Sequence, residues 1–231
     1  MNNTEEAKVD KKTNEKQARQ IKIIGIFMAV MILGIFSAAL IVKESRKFSY
    51  GGLEFEKIMF DNLPLYHART PMSDLTGNVI ANYNIYLRND PRDLEYIPVD
   101  GEIIFQHTVL ISVDQSIEEC RDNFRLIAQL SEFLGAAGIE PEFAVTNKTL
   151  AEEKELNYAT CEGKSVVFEV DEKGVKLSKG STVIILTSGE TSNIKRVSED
   201  CYELSISNCE NTQIIERFII ASAAHSKGLE V

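Results

Sequence analysis

The sequence predicts an α+β or α/β protein: one transmembrane helix, then an extracytoplasmic domain with a β-rich front and a βαβ-containing C-terminal part. Three observations predict it. Ile23 to Val42 is a run of twenty residues without a charge, bounded by Lys22 and Lys43. Between Leu53 and Leu87 apolar and polar residues alternate, the period of strands. From Thr108 to Val145 an apolar β-branched run, a capping box, a helical repeat and a second apolar run follow one another, as in a β–α–β unit.

Twenty helical residues rise about 30 Å, the thickness of a bilayer's hydrocarbon core. A buried core helix is usually shorter and amphipathic, and a signal peptide has an apolar run of about 7–15 residues. A retained span over 21–43 fits better than either. Six basic residues precede the run (Lys8, Lys11, Lys12, Lys16, Arg19, Lys22) and three follow it (Lys43, Arg46, Lys47). Excess Lys and Arg marks the cytoplasmic side. The reading is a single-pass cell-membrane protein with its N-terminus inside and its C-terminal domain outside.

Residues 1–20 are polar and lack aromatics, the composition of a disordered tail. A β-rich subdomain is expected over 48–105. Leu53 and Phe55 alternate with Glu54 and Glu56, and the phase break at Ile58 and Phe60 suggests a bulge or a second face being covered. Residues 65–71, between Pro64 and Pro71, read as a polar-aromatic loop. Val79, Ala81, Tyr83, Ile85 and Leu87 share one face of a strand bounded by turns at Gly77-Asn78 and Arg88-Asn89-Asp90-Pro91.

An α/β subdomain is expected over 106–231. Thr108–Val113 is a buried strand. Ser116 and Glu119 form a capping box for a helix ended by Gly135 and Gly138. Phe143–Val145 starts a strand, and Thr149 with Glu152 opens a short helix. Ser165–Val170 and Val175–Leu177 read as a hairpin, Thr182–Thr187 as a central strand and Cys201–Ile206 as another. Asn211 caps a final helix that Gly228 ends.

Charge is uneven: residues 1–47 carry net +4 and the remainder net −14. So acidic a domain repels nucleic acid, and no basic patch offsets it. The four cysteines, Cys120, Cys161, Cys201 and Cys209, all lie beyond the run. In an oxidising compartment they suggest disulfides. Three pairings exist; Cys201–Cys209 with Cys120–Cys161 is favoured because the first closes a short loop, and four buried thiols is the alternative. Asn147-Lys148-Thr149 is a glycosylation sequon on the outer side.

No GxSxG, HExxH or P-loop is present, and no cofactor is assigned. His67, His107 and His225 are too scattered for a metal site. Cys120, in a predicted first helical turn, suits a core thiol or disulfide better than a nucleophile. Two polar clusters beside strands are the candidate binding residues: Tyr66, His67 and Arg69, then Arg88, Asp90 and Arg92, since loops on rigid strands often carry function.

The phrases Leu63-Pro64-Leu65-Tyr66-His67, Tyr86 to Arg92 (YLRNDPR) and Asn208-Cys209-Glu210 resemble a group of uncharacterised, N-terminally anchored membrane proteins of archaea. That resemblance implies the same topology and a prokaryotic envelope. The expected role is non-enzymatic interaction or assembly, with the bilayer and an envelope protein or surface polymer as partners. An envelope enzyme with an unfamiliar site and a small-solute binder are the other readings.

Overall fold

The computed structural model describes residues 22, 25–37, 46–73, 79–117, 123–161, 168–171, 174–177 and 181–227. The expected tail, both ends of the apolar run, Lys43, Gly77-Asn78, Glu119, Cys120, the first residues of the expected strand at 165 and Gly228 lie outside these. Two compact units divide the chain, residues 1–47 and 48–231.

In the first unit residues 25–37 form a helix, α1, with every described side chain exposed, among them Phe27, Leu33, Ile35 and Phe36. This described part rises about 20 Å. Among the described residues no helix is long and apolar enough to cross a membrane.

The second unit contains two sheets. The first is a meander in the order β1 (Lys47–Tyr50), β2 (Leu53–Phe60), β3 (Leu63–Ser73) and β4 (Val79–Leu87). Its inner face buries Leu53, Phe55, Tyr66, Ala68, Ile85 and Leu87. The bulge expected at Ile58 is absent: register runs unbroken from Phe55 opposite Ala68 to Phe60 opposite Leu63. Instead the end of β2 leaves the core, and Met59 and Phe60 are exposed.

The expected loop between Pro64 and Pro71 is strand β3. A proline removes a ladder donor and is confined to places with a free edge. Each proline here has one. Pro64 pairs with β2, before β4's partners begin at Tyr66. Pro71 pairs with β4, past the last β2 partner at Ala68.

The second sheet contains β5 (Val99–Asp100), β6 (Thr108–Val113), β7 (Glu140–Val145), β8 (Asn157–Tyr158), β9 (Phe168–Asp171), β10 (Gly174–Leu177), β11 (Ser181–Ser188), β12 (Asn193–Ser198) and β13 (Cys201–Ile206). Their order is β10-β9-β8-β7-β6-β11-β13-β12-β5. The central five, β8 to β13 in that order, are parallel. Helix α2 (Asn123–Ala136) links β6 to β7, the expected β–α–β unit. Helix α3 (Lys148–Lys154) links β7 to β8, and α4 (Asn211–His225) follows β13.

Val109, Ile111, Ile184, Leu186 and Leu204 point to one face of this sheet, where α2 and α4 pack. Leu110, Ala144, Val183, Ile185 and Cys201 form a smaller cluster on the other. α4 is buried almost all round, from Ile214 to Ala224. It meets both sheets. Phe218 packs edge-on to Tyr202 of β13, Arg217 donates to the Tyr50 hydroxyl of β1 at 2.7 Å, and both sheets' inner residues share one core with it.

Two expected caps differ. Asn147, not Thr149, caps α3: its Oδ1 accepts from Leu150 N at 3.0 Å. Asn211 is the first residue of α4, whose N-cap is Glu210 without a side-chain cap bond. α2 ends as read. Gly138 has φ +73°, its N–H donates to Gly135 O, and Ile139 N donates to Leu134 O. That left-handed stop favours glycine. Gly138→Ala is expected to lower stability by about 1 kcal/mol, read as a lower urea midpoint at unchanged slope.

The disulfide pairing also differs. Cys161 is bonded to Cys201, with Cα atoms 5.7 Å apart. Cys201 opens β13 and Cys209 lies past its end. The strand between them runs about 17 Å, whereas bridged Cα atoms lie within about 7 Å. The favoured Cys201–Cys209 loop is thus held open by an extended strand, and with it falls the Cys120–Cys161 pairing. Cys209 is itself disulfide-bonded.

Candidate functional site

Alternation along β3 sends the candidate residues to opposite faces. Tyr66 points inward and is buried, while His67 and Arg69 point outward. The two groups have different surroundings.

Tyr66, Asp90 and Arg92 form an inner-face corner. Asp90 caps the short 3-10 helix Pro91–Leu94, accepting from Arg92 N at 3.1 Å. Arg92 grips the same carboxylate with Nε at 2.9 Å and Nη2 at 2.6 Å. Its guanidinium carbon lies 4.1 Å from the centre of the Phe48 ring. The Arg92 hydrogen bond, with help from the Tyr66 hydroxyl, holds the Asp90 carboxyl below its ordinary range. The Asp90 carboxylate is held on every side in this corner, whereas the Arg92 side chain stays 56% exposed.

His67 and Arg69 belong to an exposed face. His67 Nε2 lies 3.0 Å from Asn84 Oδ1, and Arg69 Nε donates to the same oxygen at 3.3 Å. The His67 ring stacks on Tyr86 at 4.8 Å. Tyr86 is half exposed. Beside it, between β4 and helices α2 and α4, lies a hollow of about 260 Å³. Tyr83, Asn84, Tyr86 and Arg88 line it from β4, Arg125, Gln129 and Glu132 from α2, and Thr212 and Glu216 from α4. Burial, then the Glu132 charge, pushes the Tyr83 hydroxyl up to about 12.

Glu216 forms the floor and is fully buried. Its carboxylate accepts from Arg88 N at 2.6 Å, Asn89 N at 3.1 Å and Asn89 Nδ2 at 2.8 Å. Burial raises its pKa, and the three donors oppose that rise. The residue clamps the end of β4 to α4, so the Arg88 side chain, which is exposed, starts from a fixed backbone. Sequence reasoning placed Arg88 at the site but missed Glu216. The signal was present: Glu216-Arg217 is one charged pair in the apolar stretch from Ile214 to Ala224.

Chemically the hollow offers aromatic faces, guanidinium groups and amides. It also offers the hydroxyls of Tyr83 and Thr212 and the carboxylates of Glu132 and Glu216. His225 accepts from Ile103 N through Nδ1 at 3.0 Å, at the far end of α4 from the hollow. Among the described residues no three His, Cys, Asp or Glu are grouped to hold a metal. The sequon's Asn147 uses Oδ1 as the α3 cap, and its Nδ2 donates to Gln115 Oε1 at 3.0 Å.

A second hollow, also about 260 Å³, lies at the carboxyl ends of β11 and β13. Ser188, Gly189, Glu190, Ser207 and Asn208 line it. Open α/β sheets bind ligands at that end of their strands. No protein-family model, curated protein or solved structure matches the chain.

Proposed function

We propose that the chain is a single-pass membrane protein whose domain stands outside the cell and works as a non-enzymatic docking module. Its partner would be an envelope protein or a surface polymer. The observation that carries the reading is the Cys161–Cys201 disulfide in a domain that follows an uncharged run of twenty residues. Disulfides persist in oxidising compartments, and the basic excess before the run favours an inside N-terminus. The resemblance to anchored archaeal proteins agrees with that setting.

The docking face is the outer surface of the first sheet at His67, Arg69, Asn84 and Tyr86, continuing into the hollow at Arg88. Tyr and Arg are the residues that dominate binding energy at interfaces. Its rigidity comes from Glu216 beneath.

Alkaline washing should leave the full chain in the membrane pellet, and protease added outside intact cells should remove the domain while sparing the tail. Recovery in the soluble fraction, or protection of the domain, would refute the topology. A photo-crosslinker at position 86 should join one envelope component, and Arg88→Glu should abolish that product. Crosslinks unchanged by Arg88→Glu would refute the docking face. The polar hollow at the carboxyl ends of β11 and β13 favours a second reading, capture of a small polar solute; ligand-dependent thermal stabilisation lost on Ser207→Ala would select it.

A further inference from the structure

We infer that the β2–β3 hairpin tip dips into the outer leaflet of the bilayer. This rests on the anchoring read above.

The tip is a two-residue turn, Asp61-Asn62, with Asp61 at φ +52°. Around it Met59, Phe60 and Leu63 are 57%, 67% and 61% exposed. Phe60 and Leu63 face one side of the ribbon and Met59 the other, so the tip is apolar on both faces, and exposed apolar surface of this kind marks interaction sites. The tip of a twisted two-stranded ribbon has no neighbouring strand to pack on, so nothing within the first sheet covers it.

Its direction follows from the strands before it. Gly51 and Gly52 have φ +55° and +68°, the two positive values of a type I′ hairpin turn, so β1 runs antiparallel to β2. Phe48 and Phe55 stack at 5.6 Å, as opposite residues do in that register. Lys47 therefore stands opposite Glu56, and β2 continues four residues further, about 13 Å. The hairpin projects past the end of the sheet at which the chain enters.

The occupant follows from chain length. Val42, the last residue of the uncharged run, precedes Lys47 by five residues, which reach at most about 17 Å. A bilayer holding that run lies within this reach of Lys47. The projection of the hairpin and the reach of the link are nearly the same length. Arg46, Lys47 and Lys57 are exposed around this end, with Asp61 exposed at the turn itself. Basic residues at the membrane surface attract anionic headgroups.

The chain contains no tryptophan, so Phe60→Trp makes a lone reporter. The full chain would be reconstituted into liposomes whose lipids are brominated along the acyl chains. A parallel Phe36→Trp variant reports the run itself. Quenching and blue shift of both support the hairpin and the anchor. Quenching at position 36 with unquenched, solvent-like emission at position 60 overturns the hairpin inference and leaves the anchor. Blue shift without quenching at position 60 also overturns it, because the tip is then covered by protein, a second copy included. Quenching at position 60 alone supports the hairpin and removes the anchor, and no quenching at either position removes both.

Discussion

Replacing Cys161 and Cys201 together with serine is expected to lower the stability of the domain by roughly 2–4 kcal/mol. The bond spans 40 residues of sequence, and loop-closure entropy assigns a loop of that size about 4 kcal/mol. Cys201 is fully buried in the smaller core cluster beside Leu110, Val183 and Ile185, so a hydroxyl there adds a desolvation cost. Domains are stable by about 5–15 kcal/mol in total, so the loss is a large share. The check is urea unfolding of the double variant beside the unaltered chain. The double variant isolates this bond, which reductant would not, because Cys209 is disulfide-bonded as well. A midpoint unchanged by the double substitution would show that β13 and the segment after β8 are held without the bridge.

Glu216→Ala is expected to cost about 3 kcal/mol or more. It strands three donors, Arg88 N, Asn89 N and Asn89 Nδ2, at a buried site. Each orphaned donor costs roughly 1–3 kcal/mol. The hollow above lets water reach some of them, which keeps the total near the lower end. Glu216→Gln keeps one acceptor oxygen but turns an amide donor toward the others, and should fall between. The pH dependence carries a separate signature. Burial raises the folded-state pKa above the ordinary glutamate value. In the window between the two, the folded chain holds a proton that the unfolded chain has released. Stability from this group is therefore full below the unfolded pKa and is lost as pH rises through the folded one. Glu216→Gln should flatten that decline. A variant with the same pH profile as the unaltered chain would assign the decline to other groups.

The central strands were legible because each carries a signal no other element imitates. Thr182–Thr187 is continuous and apolar, and it does become β11 between β6 and β13, buried from Ser181 to Leu186. Gly138 marked the end of α2 because a left-handed residue was needed there. Strand β3 was hidden by Pro64 and Pro71, since sequence does not reveal that each falls where one flanking strand is missing. Half the candidate site came apart for the same reason. Read as a loop, Tyr66, His67 and Arg69 cluster; read as a strand, they alternate, and Tyr66 turns inward to Asp90 and Arg92. The cysteine pairing failed on length: eight residues are a short loop only when they are not stretched along a strand. Glu216 was passed over because apolar periodicity registers α4 as core without asking why a carboxylate sits in it.

Helix α4 joins groups made far apart in synthesis. Arg217 meets Tyr50 across 167 residues, and Glu216 meets Arg88 across 128. A chain that emerges front first makes the meander early and its buried partner late. Until α4 arrives, the inner face of the first sheet has no cover, and loop-closure entropy delays the contacts that supply it. The front strands therefore depend for their cover on the last helix of the chain.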